Sequence, residues 1–225
     1  RLLQKALAAI AALSVAGGIS LAQETPEKLA QETPDKFTQK NPEKQVYMAA
    51  NAHFDTQWRW NVRQSIGEFL PNTLYQNFAL MEQYPDYKFS FEGAVKHYWT
   101  KEYYPHLYST LVKYVKEGRW YPAGASWDAN DFNVPSAESN FKNILLAEEF
   151  YKAEFGVKSY DIMLPDCFGF GYALPSIASH CGVFAFHTQK LKWRNNPFYE
   201  GGKKWPFEFG IWEGVDGSRI LMAPD

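Results

Sequence analysis

The chain has 225 residues, enough for one domain with a sizeable core. Its 46% hydrophobic content against 21% charged content excludes a disordered chain. A net charge of −2, with no Lys/Arg stripe, gives nucleic-acid binding no electrostatic support.

Residues 1–22 read as an export signal. Arg1 and Lys5 lead an apolar stretch over residues 6–15, and Ser20-Leu21-Ala22 fits a small-x-small cleavage site. A membrane span needs roughly 20 apolar residues, and Gly17-Gly18 interrupts this one. The mature protein is therefore expected to be periplasmic or extracellular, with no membrane span. Residues 23–44 belong to an eight-residue repeat that starts at Leu21, returns at Leu29 and degrades after Phe37. It is polar, of mixed charge and punctuated by proline. Such a segment cannot bury a core and reads as a flexible linker.

From residue 45 onward, strand-like and helix-like segments alternate. Residues 46–52 form the first expected strand. Residues 65–83 look helical, with Pro71 bending or breaking them. Residues 88–95 give a second strand. Residues 105–117 form an amphipathic helix with Leu107, Leu111, Tyr114 and Val115 on one face and Gly118 as its stop. Residues 119–127 are a third strand. Ser136 caps a long helix that ends at Gly156. Residues 160–165 are a fourth strand, 176–181 a short helix, 183–191 a fifth strand, and 219–223 open another. This alternation argues for α/β architecture with a parallel sheet, in a barrel or an open form. In either form chemistry collects at the C-terminal strand ends.

The polar clusters fall at those ends. His53 and Asp55 follow the first strand, two apart on extended backbone, so their side chains point the same way. An imidazole beside a carboxylate is half of a divalent metal site. Trp58 and Trp60 close behind offer flat apolar surface of a kind that suits a sugar ring. Asp128 and Asp131 follow the third strand, Asp166 the fourth, and Lys190 lies late in the fifth. Aromatic content of 17% fits either a carbohydrate-handling surface or an aromatic-rich core. Cys167 and Cys181 are too few for a disulfide scaffold, although an export route would permit a bridge.

Four ordered blocks carry a family resemblance. They are His53-Phe54-Asp55-Thr56-Gln57-Trp58, Trp127 to Asp131 before the long helix, Pro165-Asp166-Cys167-Phe168-Gly169, and Trp212-Glu213-Gly214-Val215-Asp216-Gly217-Ser218. Over about residues 45–225 the sequence resembles glycoside hydrolase family 38, the retaining α-mannosidases. The resemblance implies an irregular seven-stranded (β/α) barrel, incomplete in this chain, holding one divalent cation, usually zinc. It implies His53, Asp55 and Asp166 as metal ligands and Asp166 as the catalytic nucleophile. Trp58 would floor the sugar subsite and Phe168 would line it. Asp131 matches an acidic position of the second block, and Lys190 is a candidate polar contact near the sugar. The substrate implied is a mannose-containing oligosaccharide.

This chemistry is coherent. The axial 2-hydroxyl of mannose crowds nucleophilic approach, and a cation on the 2- and 3-hydroxyls can orient and distort the ring. A carboxylate held on a cation stays ionised, which suits a nucleophile and excludes Asp166 as the general acid. The family places a further His ligand and the acid/base carboxylate beyond residue 225, so the chain is expected to be an N-terminal fragment, inactive alone. The alternatives are a metal-dependent carbohydrate deacetylase using an Asp base and metal-activated water, and a non-catalytic sugar-binding truncation. His97, His106, His180 and His187 lack comparable context and read as ordinary structural histidines. Asp216-Gly217 reads as a hairpin turn.

Overall fold

The computed structural model describes residues 48–192 and 208–224. The expected signal and linker, the first residues of the first expected strand, Trp193 and Trp205 lie outside the described residues.

After β1 (Ala50–Asn51) the chain enters α1 (Val62–Gln64), where Asn61 and Gln64 form a reciprocal capping box. A π-helical turn (Ser65–Phe69) leads without a break into α2 (Leu70–Gln83). Pro71 therefore does not break this helix. It falls in the first turn of α2, where a missing N–H is tolerated. Next come β2 (Phe89–Glu92), α3 (Ala94–Tyr103), α4 (Pro105–Lys116) and β3 (Trp120–Ala123). The long α5 (Ala137–Phe155) begins at the Ser136 cap, whose hydroxyl accepts from the Ser139 N–H, and stops at left-handed Gly156. Then follow β4 (Asp161–Met163), α6 (Leu174–His180), β5 (Ala185–Thr188), a 3-10 turn (Lys190–Lys192), β6 (Gly210–Glu213) and β7 (Arg219–Pro224).

Several strand ends needed correction; the fifth strand, expected over 183–191, spans Ala185–Thr188 and gives way to the 3-10 turn that carries Lys190. The second strand was read through Val95, but it ends at Glu92 and a helix starts at Ala94. Gly93, at φ 84°, makes the turn, and the first helical N–H groups of Ala94 and Val95 donate to the Ser126 and Trp127 carbonyls. The third strand was read to Trp127, but it stops at Ala123. Gly124 at φ 66° redirects the chain there, and a Cβ on it would lie 3.4 Å from Glu92 Cβ and 3.5 Å from Met163 Cβ.

The strands form two mixed α/β layers rather than one continuous ladder. In the first, β1, β2 and β3 are parallel neighbours in that order. In the second, β4, β5 and β7 are parallel and β6 runs antiparallel beside β7. The Ala125 N–H, just past the Gly124 turn, donates to the Asp161 carbonyl at 2.6 Å and joins the two across their seam. Each sheet covers its own core. Phe89, Phe91, Trp120, Leu74 and Leu111 pack under the first; Ile162, Leu164, Phe186 and Ile177 pack under the second. The long α5 serves both, sending Ala147, Tyr151 and Phe155 to one and Ile144 to the other.

Candidate metal centre

Phe54 sets the geometry of the opening triplet. Its ring is buried and stacks on Phe91 at 6.2 Å, which turns His53 and Asp55 to the opposite side. There His53 Nε2 lies 3.1 Å from Asp55 Oδ1 and 3.6 Å from Asp166 Oδ2. One ligand atom from each of the three residues falls within 4.8 Å of the others. All three side chains are open to solvent on one side. One imidazole nitrogen and two carboxylates form an N/O donor set suited to zinc or a similar divalent ion, with coordination positions left for substrate. The residues present therefore fit the cation.

The loop that carries His53 and Asp55 is tied down. Thr56 Oγ1 donates to Asp128 Oδ2 at 2.6 Å, and Ser65 Oγ donates to the Thr56 carbonyl at 2.8 Å. Asp128 thus anchors one loop to another. Asp131 Oδ1 accepts from the Asn133 and Val134 N–H groups at 2.5 and 3.0 Å, and so shapes the turn before α5. This turn meets the Asp166 loop, because the Asn133 side chain packs against Gly169 and Gly171, and Cys167 Sγ donates to the Asn130 carbonyl. Burial, reinforced by the carboxylates of Asp131, Glu92 and Asp55, pushes the Cys167 thiol up to about 11, so it stays protonated beside the cluster. Cys167 and Cys181 are both free.

Lys190 reaches the same place from the end of β5. Its Nζ pairs with Asp166 Oδ1 and lies 5.4 Å from the centre of the Phe168 ring. Asp166 consequently presents one oxygen to the cluster and the other to Lys190. Phe168 is exposed beside this pair. Trp58 is exposed too, but Arg59 covers its ring at 4.5 Å and Trp60 meets it edge-on at 5.7 Å.

The sequence reading missed Glu92 and Lys96. Glu92 ends β2, is 2% exposed, and pairs through Oε2 with the fully buried Lys96 one turn along. Its Oε1 has no hydrogen-bond partner and lies 3.7 Å from His53 Nδ1. Burial pushes the Glu92 carboxyl up, while Lys96 and then His53 pull it down. A carboxylate at the end of a parallel strand was a legible signal, but the strand had been extended past it.

Three other histidines, His97, His180 and His187, have partners away from this cluster. His97 is buried, with Nδ1 3.1 Å from the Gly93 carbonyl and Nε2 accepting from Trp120 Nε1 at 3.1 Å. His187 pairs with Asp161 across β4 and β5 at 3.1 Å. Asp216 accepts from Ser176 Oγ at 2.6 Å and from the Ser218 N–H at 3.0 Å, and pairs with His180 at 3.1 Å. These bonds, Ser176 first, hold its carboxyl below the usual range and clamp the β6–β7 hairpin to α6.

Comparison with known proteins places the chain in a family. Alpha-mannosidase G of Dictyostelium discoideum is 36% identical over 177 residues, 79% of this chain but 16% of that protein. Alpha-mannosidase 2C1 of Homo sapiens is 33% identical over 178 residues, again 79% and 16%. The chain therefore spans about a sixth of the length of these relatives. The crystal structure of an alpha-mannosidase from Enterococcus faecalis V583 shares the fold, with TM-score 0.66 at 19% identity over 78% of this chain and 19% of that one. Residues 43–224 match the model of the glycosyl hydrolases family 38 N-terminal domain, and the chain belongs to that family.

Proposed function

We propose that the protein carrying this chain is a retaining α-mannosidase that hydrolyses terminal α-mannosyl linkages of glycans, with His53, Asp55 and Asp166 holding a divalent cation, zinc by family habit. The observation that carries this reading is the convergence of three donor groups, from the ends of β1 and β4, on one solvent-open point. Relatives named as alpha-mannosidases support it. When bound, the cation supplies Lewis-acid orientation of the mannose 2- and 3-hydroxyls and favours ring distortion toward the oxocarbenium-like transition state.

The residues of the chain do the rest. The Asp166 carboxylate attacks the anomeric carbon as the glycosidic C–O bond breaks, giving a glycosyl ester on Asp166. The departing oxygen takes its proton from an acid/base carboxylate that the family places outside the matched span. Water then cleaves the ester with net retention. Lys190 balances the Asp166 charge and, with Phe168 and Trp58, borders the sugar. Asp131 holds the turn beside them. The two sheets are successive arcs of one barrel wall, a reading supported by the Ala125–Asp161 bond across their seam. Residues 1–22 direct export, a reading supported by their hydropathy pattern and small-x-small site.

The test is release of nitrophenolate from an aryl α-mannoside by the full-length protein. Turnover should vanish with a chelator and return with zinc. No release, or release indifferent to the chelator, would contradict the reading.

A further inference from the structure

A buried carboxylate oxygen with no partner is costly, because it has lost its water and gained nothing in return. Glu92 Oε1 is such an atom. Its sister oxygen is held by Lys96, which is fully buried with its Nζ 5.5 and 5.4 Å from the ring centres of the stacked Phe54 and Phe91. The carboxylate therefore cannot swing away to water. The ionisable groups that act on it are Lys96, His53 and Asp128. Asp128 is an acceptor like Glu92 itself, and Lys96 is already engaged on Oε2. The group left to donate to Oε1 is the His53 ring, whose Nδ1 stands 3.7 Å away, a few tenths of an ångström beyond hydrogen-bond reach. The other ring nitrogen, Nε2, faces Asp55 and Asp166.

We propose that Glu92 is a positioning residue for the metal centre: it accepts the Nδ1–H of His53, fixing the tautomer that turns the Nε2 lone pair toward the cation, and Lys96 locks Glu92 in the orientation this requires. A ligating imidazole held from behind by a carboxylate is oriented and made more basic, and losing the holder weakens metal binding by roughly 10- to 100-fold. The pair is also out of the substrate's reach, since both side chains are buried. The phenyl rings of Phe54 and Phe91, which hold Lys96, also set the side of the chain on which His53 emerges. Metal geometry and core packing are thereby coupled through one buried ion pair.

The inference rests on the proposed cation site, and the test separates the two. Two double variants of the full-length protein, Glu92→Gln/Lys96→Met and Glu92→Leu/Lys96→Met, remove the buried charge pair with similar volumes. Only the first keeps an acceptor oxygen for His53. Zinc affinity is read by competition with a chromophoric chelator. The Gln variant should stay within about threefold of wild type, and the Leu variant should bind roughly 10- to 100-fold more weakly. Equal affinities in the two variants would overturn the positioning role while leaving the site intact. Absence of zinc binding in the wild type would overturn the site and this role with it. A second measurement needs no variant. In zinc-loaded wild type labelled with 15N-histidine, His53 should show a protonated Nδ1 and a metal-bound Nε2, and metal on Nδ1 would overturn the proposal.

Discussion

Phe54 explains why a triplet that occurs often by chance has consequences here. Its burial against Phe91 forces its two neighbours outward together, so the spacing read from the sequence became a spatial pair. Asp166 was legible for a related reason: a carboxylate between a strand and two glycines can sit at a strand's mouth with little in its way. Glu92 was legible only as a carboxylate near a strand end; its role depends on Lys96 and His53, and a buried ion pair leaves no mark on local periodicity. Lys190 was expected near the sugar, and it lies on Asp166 and beside Phe168. Replacing it with Met removes a charged hydrogen-bond donor, so Lys190→Met should lower kcat/KM on an aryl mannoside roughly 10- to 100-fold. An unchanged kcat/KM would contradict its contact with the substrate or nucleophile.

At the scale of elements, α5 was read closely, the capping-box start at Asn61 and all of α3 were missed, and short strands were read too long. The Ser136 cap and the Gly156 stop bracket α5 almost to the residue, because both ends are written in side-chain chemistry. The ends of β2 and β3 are instead set by Gly93 and Gly124, where the apolar pattern runs on past the true boundary. The antiparallel β6 was missed, its four residues following directly on a segment with no clear alternation. Gly124 predicts its own test. Alanine there must hold a left-handed conformation and meet Glu92 and Met163, so Gly124→Ala should destabilise by roughly 1–2 kcal/mol in urea unfolding. An unaltered midpoint would mean that the turn is not confined to that conformation.

The His97 site couples an element to pH. Burial lowers its pKa from 6.5 to about 3, against the opposing pull of the Gly93 carbonyl and with help from the Lys96 charge; only the neutral ring can accept from Trp120. Between those values the unfolded chain binds a proton that the folded chain excludes. Stability from this group is therefore complete above about 6.5 and is lost as pH falls toward about 3. Glutamine can make both of the same hydrogen bonds without titrating. His97→Gln should flatten the fall in unfolding midpoint between about pH 7 and about pH 5, and an equally steep fall in the variant would contradict this assignment.

At the scale of the whole molecule, the parallel strands place their C-terminal ends together, and the groups of interest follow that rule. His53 and Asp55 lie past β1, Glu92 ends β2, Asp128 and Asp131 lie past β3, Asp166 past β4 and Lys190 past β5. The alternation of elements made this legible in advance. The split into two sheets was not, because β3 ends at a positive-φ glycine that leaves the apolar pattern unbroken. The central claim is that Asp166 is the nucleophile of a cation-dependent mannosidase. Its most direct test is to incubate the full-length protein with a fluorinated mannosyl fluoride and map the labelled peptide by mass spectrometry. The account predicts one covalent mannosyl ester, on Asp166. A label on another carboxylate, or none while turnover is blocked, would contradict it.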